Sequence, residues 1–168
     1  MIAVVHPSTI QGMIPAPASK SMMQRACALA LLHSGKTVIS NPGNSQDDLA
    51  AISIIQQLGA TVSIENEQLI IHSTGIINST GIVDCGESGL SFRMFSAIAA
   101  LGKVEVQING SGSLRNRPMH FMETVFPLLG VQCRLDHGHL PATVCGPMIP
   151  VDIHIDGSQS SQYLTGLL

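Results

Sequence analysis

Apolar residues come in short runs closed by glycine or polar turns, and helix-like spacing alternates with strand-like spacing. The run from Met22 to Leu32 reads as a helix. Leu58-Gly59-Ala60-Thr61-Val62-Ser63-Ile64 reads as a helix end, a closing glycine and a strand; a turn at Glu65-Asn66-Glu67 and a second strand to Gly75 follow. The stretch from Leu129 to Gly146 lies over that segment without a gap, with Gly130 at the helix end and Asp136-His137-Gly138 at the turn. Upstream, each copy shows another helix closing at Gly-Lys, Gly35-Lys36 and Gly102-Lys103, before an apolar strand.

The predicted unit is therefore helix, strand, helix and two strands. A third copy begins at Ile153, with His154-Ile155-Asp156-Gly157 as a strand ending and Ser160 to Leu168 as the opening of an apolar helix. Leu164-Thr165-Gly166-Leu167-Leu168 carries neither cap nor charge, so the chain is expected to stop inside an element and to be a piece of something longer.

Composition narrows the function classes. Of 168 residues, 45% are hydrophobic but only 3% aromatic and 11% charged, and the net charge is −3. A nucleic-acid surface would need a basic excess and stacking aromatics, and a membrane surface would need the former. No apolar run approaches the ~18 residues of a membrane span. Met1 to His6 has no basic region and Pro7 interrupts it, so no secretory signal is expected and the chain is placed in the cytoplasm. Cys27, Cys85, Cys133 and Cys145 are far apart and read as small buried hydrophobes.

The few cations are unevenly placed. Lys20, Arg25, Arg93, Arg115 and Arg117 lie in or beside Gly/Ser-rich turns that lead into predicted helices. A cation there opposes the helix dipole by about 0.3–1 kcal/mol unless an anion reverses the sign. In Pro17-Ala18-Ser19-Lys20-Ser21, Ser21 is read at or near the helix cap, sharing a face with Arg25 while Lys20 reaches over the free N–H groups. That is the chemistry of a phosphate or carboxylate site, although an ordinary cap with solvated charges has the same local sequence. Similar turns recur at Cys85 to Arg93, and at Gly110 to Pro118, where Pro118 suits a first helical position. The turn at Asp156-Gly157-Ser158-Gln159-Ser160-Ser161-Gln162 offers hydroxyls and amides instead of cations. If repeats pack about one axis, these helix starts converge on a multiply anionic small molecule. Asp47 and Asp48 read as charge complement at a helix start, and His137 and His139 as solvated turn residues.

The ordered set Lys20-Ser21 with Arg25, Gly86 to Arg93, Leu114-Arg115-Asn116-Arg117-Pro118-Met119 and Asp156 to Thr165 resembles the EPSP synthase family, the 3-phosphoshikimate 1-carboxyvinyltransferases. The resemblance covers essentially the whole chain but only the N-terminal part of the family's proteins. It implies an α/β (α+β) fold of the inside-out α/β barrel type, with about two βαβαββ units and the start of a third. Residues 1–14 would form a strand region belonging to the other domain. Residues 15–168 would form an incomplete substrate-binding domain, with units at 15–80, 81–150 and 151–168.

The implied reaction transfers enolpyruvyl from phosphoenolpyruvate to the 5-hydroxyl of shikimate 3-phosphate with release of phosphate, and no metal or organic cofactor takes part. By motif, Lys20, Ser21 and Arg25 would bind shikimate 3-phosphate, with Lys20 also touching phosphoenolpyruvate. Gly89 and Arg117 would hold phosphoenolpyruvate, and Ser160, Ser161 and Gln162 the phosphorylated ring. Tyr163 would pack. Proton-transfer residues would lie in the C-terminal domain, so the isolated chain is expected to be inactive. Gly86-Glu87-Ser88-Gly89-Leu90 departs from the family's Gly-Asn-(Ala/Ser)-Gly-Thr, and Glu87 would repel an anion unless paired or turned away. The residues alone also leave open a non-catalytic anion-binding module, or a related fold member acting on a UDP-sugar or an RNA end.

Overall fold

The computed structural model describes residues 2–78, 81–158 and 160–168. The first unit consists of helix α1 (Lys20–Leu32), strand β1 (Ser34–Ser40), helix α2 (Gln46–Gln57) and the hairpin of β2 (Thr61–Glu65) and β3 (Gln68–Thr74). The second opens with a strand, β4 (Ile82–Asp84), followed by α3 (Gly89–Ala99) and β5 (Val106–Asn109). It closes with α4 (His120–Val125) and the hairpin of β6 (Gln132–Asp136) and β7 (His139–Cys145). Helix α5 (Ser161–Leu167) comes last.

Two sheets result, in the orders β1-β3-β2 and β4-β5-β7-β6. Their ladders share one register: Gly35 faces Ser73 as Val106 faces Val144, and Thr37 faces Ile71 as Ile108 faces Ala142. The repeat seen in the hairpins therefore extends back into β1 and β5. It passes through Gly35, which lies inside β1, and not through the pairing of Gly35-Lys36 with Gly102-Lys103; α1 has already ended at Leu32. Gly59 and Gly130 both take positive φ, as the helix-closing reading requires.

The helices lie inside and the sheets outside. Every residue of α3 except Arg93 is buried, whereas the sheets bury alternate positions, as with Leu140, Ala142 and Val144 of β7. Leu31, Ile54, Ile55, Phe92 and Phe95 join Leu69, Ile71, Ile108 and Val144 in one continuous core. This inverted layering leaves the helix N-termini free to point at a common edge.

Two expected strands do not form. Residues 2–19 take neither helix nor strand and are almost wholly exposed, because nothing among the described residues offers them a ladder partner. For the same reason residues 151–156 are irregular, although α5 follows as expected. Gln159 lies outside the described residues. Among the described residues, no helix is long and apolar enough to cross a membrane.

Candidate functional site

Helix α1 is capped by Ser19, whose Oγ accepts from the Met22 N–H at 3.5 Å. Ser21, read at or near the cap from the sequence, sits in the first turn, two residues after the cap itself. Arg25 Nη1 donates to the Ser21 carbonyl at 3.2 Å. Lys20 Nζ lies 2.9 Å from Asp47 Oδ2, and the hydrogen bond and charge of Asp47 raise the lysine pKa above its ordinary value.

Helix α2 is closed by a capping box between Ser45 and Asp48, with Ser45 N–H and Oγ both donating to Asp48 Oδ2, at 3.0 and 2.7 Å. Of the two acids read as dipole complement, Asp48 takes that part and is buried. Asp47 reaches across to α1.

Helix α3 begins at Ser88, whose Oγ accepts from the Ser91 N–H at 3.2 Å. The next residue, Gly89, is a point of close approach: a β-carbon there would lie 2.7 Å from Nη1 of both Arg117 and Arg93. Two guanidinium groups thus pack against one stretch of backbone at a helix N-terminus, the arrangement that suits a phosphate or carboxylate. Arg93 Nη1 donates to the Gly89 carbonyl at 3.1 Å and to Gln162 Oε1 at 2.9 Å, and its guanidinium lies 5.0 Å from the Tyr163 ring centre. Tyr163 is buried and stacks on Phe121 at 4.0 Å, a packing role.

The Gly110–Arg117 segment folds as a 3₁₀ turn over Gly112–Asn116. Ser113 N–H donates to Glu87 Oε2 at 3.0 Å, and Arg117 Nη2 to Ser113 Oγ at 3.4 Å. Glu87 is thus paired with backbone and ties the loop before α3 to the loop carrying Arg117. Gly112 has φ +50°, and a side chain there would run into the Glu87 carboxylate. Pro118 does not open α4, which starts two residues later behind Met119. Met119 N–H is held by the Gly138 carbonyl at 2.8 Å, and that contact delays the helix.

Lys20, Ser21, Gly89, Arg117 and Gln162 line one cavity of about 480 Å³. An adjoining cavity of about 560 Å³ is walled by Arg93, Arg117, His120, Ser160 and Tyr163. Arg117 stands on both. Arg25 and Ser161 are on neither wall: Arg25 folds back on α1, and Ser161 is exposed in the first turn of α5, where its carbonyl accepts from Thr165 Oγ1.

Among the wall residues, Gln24 escaped the sequence reading, Asp47 was read only as a dipole complement, and Glu87 was read as paired or turned away without a partner being named. A usable signal existed for Gln24, which stands four residues after Lys20 and so on its face of the helix. Burial pushes the Cys27 thiol up to about 12 and the Cys133 thiol to about 11, and drives Cys85 upward as well, so none of these three is a nucleophile at neutral pH. Among the described residues, no three His, Cys, Asp or Glu side chains are grouped to hold a metal.

Comparison with known proteins gives the arrangement a lineage. The chain is 34% identical to a 3-phosphoshikimate 1-carboxyvinyltransferase of Methanocorpusculum labreanum, over all of this chain and 40% of that protein. It is 32% identical to the Aeropyrum pernix protein of the same name, over 98% of this chain and 38% of the relative. It thus spans about 40% of the length of the curated relatives it matches. An EPSP synthase structure from Acinetobacter baumannii superposes with a TM-score of 0.77 at 24% identity, covering 94% of this chain and 37% of that one, and shares the fold. The profile of EPSP synthase (3-phosphoshikimate 1-carboxyvinyltransferase) matches residues 4–168. The chain belongs to the EPSP synthase family.

Proposed function

We propose that this chain supplies the N-terminal share of the active site of a transferase that moves enolpyruvyl from phosphoenolpyruvate to the 5-hydroxyl of shikimate 3-phosphate and releases phosphate. The observation that carries the reading is the convergence of Lys20, the Gly89 backbone and Arg117 on one cavity. Each charge-assisted hydrogen bond to a bound anion contributes roughly 1.5–3 kcal/mol, enough for three such groups to hold a multiply charged metabolite.

In this reading Lys20 and Ser21 hold shikimate 3-phosphate from the start of α1, with Arg25 turning from the Ser21 carbonyl to join them. Arg117 and the Gly89 amide hold phosphoenolpyruvate beside it. Ser160, Ser161 and Gln162 close on the phosphorylated ring from α5, where Arg93 already orients Gln162. These groups bind, orient and neutralise charge. None of them is a general acid or base, so proton transfer falls to a C-terminal domain that completes the cleft, and the chain alone does not turn over. The role is cytoplasmic, where four free thiols stay reduced.

Calorimetry of the 168-residue chain with shikimate 3-phosphate tests this. Weak saturable binding, lost in Lys20→Ala and Arg117→Ala, is expected. Phosphate release by the isolated chain, or binding of UDP-N-acetylglucosamine in preference to shikimate 3-phosphate, would overturn it.

A further inference from the structure

Gln24 lines the cavity, and the reading above leaves its chemistry unused. It is 1% exposed, yet it lines the cavity between Lys20 and Gly89. Its Oε1 accepts two hydroxyl protons, from Ser88 Oγ at 2.9 Å and Ser91 Oγ at 3.0 Å. Those contacts fix which way the carboxamide faces. Both serines are buried, and Ser88 Oγ is already an acceptor for the Ser91 N–H, so each hydroxyl proton needs an oxygen to receive it. Gln24 supplies that oxygen, and turning the amide over would orphan two buried donors.

Its Nε2 is left over: among the described residues it has no hydrogen-bond partner, and although the residue is buried this atom stays open to the cavity. In a cavity whose charged donors are Lys20 and Arg117, the group that meets this N–H₂ is an acceptor oxygen on the bound molecule.

We infer that Gln24 is a substrate-binding residue, donating through Nε2 to an oxygen of the phosphorylated anion. Through Oε1 the same side chain holds the cap of α3, so ligand contact and the placement of the Gly89 amide are coupled in one carboxamide. The inference rests on the cavity being an anion site, and its test separates the two claims.

Gln24→Glu keeps an oxygen toward Ser88 and Ser91 but replaces the donor by a second oxygen. At pH 8 this variant is expected to retain the circular dichroism spectrum of the parent and to bind shikimate 3-phosphate roughly tenfold or more weakly. Gln24→Met loses both contacts and is expected to lose thermal stability as well as affinity. Independently of either variant, titrating the ¹⁵N-labelled parent chain should shift the Gln24 side-chain amide signal along the same binding curve as the Gly89 amide. A folded Gln24→Glu that binds like the parent, or a Gln24 signal that stays still while Gly89 moves, overturns the role of Gln24 and leaves the anion site standing. If neither signal moves and Arg117→Ala changes nothing, the anion site falls and the inference with it.

Discussion

Lys20 Nζ and Asp47 Oδ2 stand 2.9 Å apart, tying the first turn of α1 to the first turn of α2 on the wall of the cavity. A cation at a helix N-terminus works against the dipole, and Asp47 answers it from the neighbouring helix. The pair is partly solvated, so its stabilisation is of order 0.2–1 kcal/mol.

Asp47→Asn should therefore lower the melting temperature only slightly at neutral pH. Lys20 holds its proton more tightly in the folded chain than an ordinary lysine near 10.5, so the contribution is full below that pH and fades as pH rises through the raised value. Parent and variant melting curves should converge there. If the cavity takes shikimate 3-phosphate as proposed, the variant also removes a carboxylate from its wall and frees Lys20, so this ligand should bind up to about fivefold more tightly by calorimetry.

Gly89→Ala separates folding from binding. The new methyl group meets the ends of Arg93 and Arg117, and moving Arg93 Nη1 gives up its bonds to the Gly89 carbonyl and Gln162, which offsets the up to about 0.5–1 kcal/mol by which alanine favours a helix over glycine. Melting temperature should hold within a few degrees. Affinity for phosphoenolpyruvate should fall roughly tenfold, since displaced guanidinium groups no longer face the α3 terminus.

Glu87 is best probed by amide hydrogen exchange. In Glu87→Ala the Ser113 N–H loses its acceptor and should exchange markedly faster, with Arg117→Ala-like weakening of anion binding as the 3₁₀ turn loosens. Glu87→Gln keeps an acceptor, so Ser113 should stay protected while affinity rises from the lost negative charge. Equal exchange in all three proteins would refute the strut.

Thiol chemistry reports on the core. Cys27 and Cys85 are fully buried and held protonated, so iodoacetamide at pH 8 should leave both unmodified in the folded chain and label them on unfolding in urea. Mass mapping of the labelled sites checks this.

Local chemistry made the hairpins readable. A polar turn at Glu65-Asn66-Glu67 and a closing glycine at Gly59 or Gly130 are statements about neighbours in the chain, and the backbone angles agree with them. The Gly/Ser-rich turns before the helices were readable for the same reason, and Lys20, Gly89 and Arg117 do line one cavity. What stayed hidden needs distant partners. Nothing near Asp47 announces Lys20, and nothing near Gln24 announces Ser88 and Ser91. The strand region expected at 1–14 was assigned to another domain by the resemblance, and residues 2–14 take no strand here, where no neighbour among the described residues offers them hydrogen bonds. The cap of α1 could be read only to within two residues, because Ser19 and Ser21 are both competent caps and pattern alone does not rank them.

The shared register of the two ladders leaves the linkers as the place where the copies diverge. Only His33 separates α1 from β1, whereas residues 100–105 separate α3 from β5, yet both strands arrive at matching rungs. The spacing of the sheets is thus conserved inside one molecule while the approach to them is elastic. An added residue between Leu101 and Glu105 should be absorbed at the surface, whereas one added within β7 would turn Leu140, Ala142 and Val144 outward and undo the core.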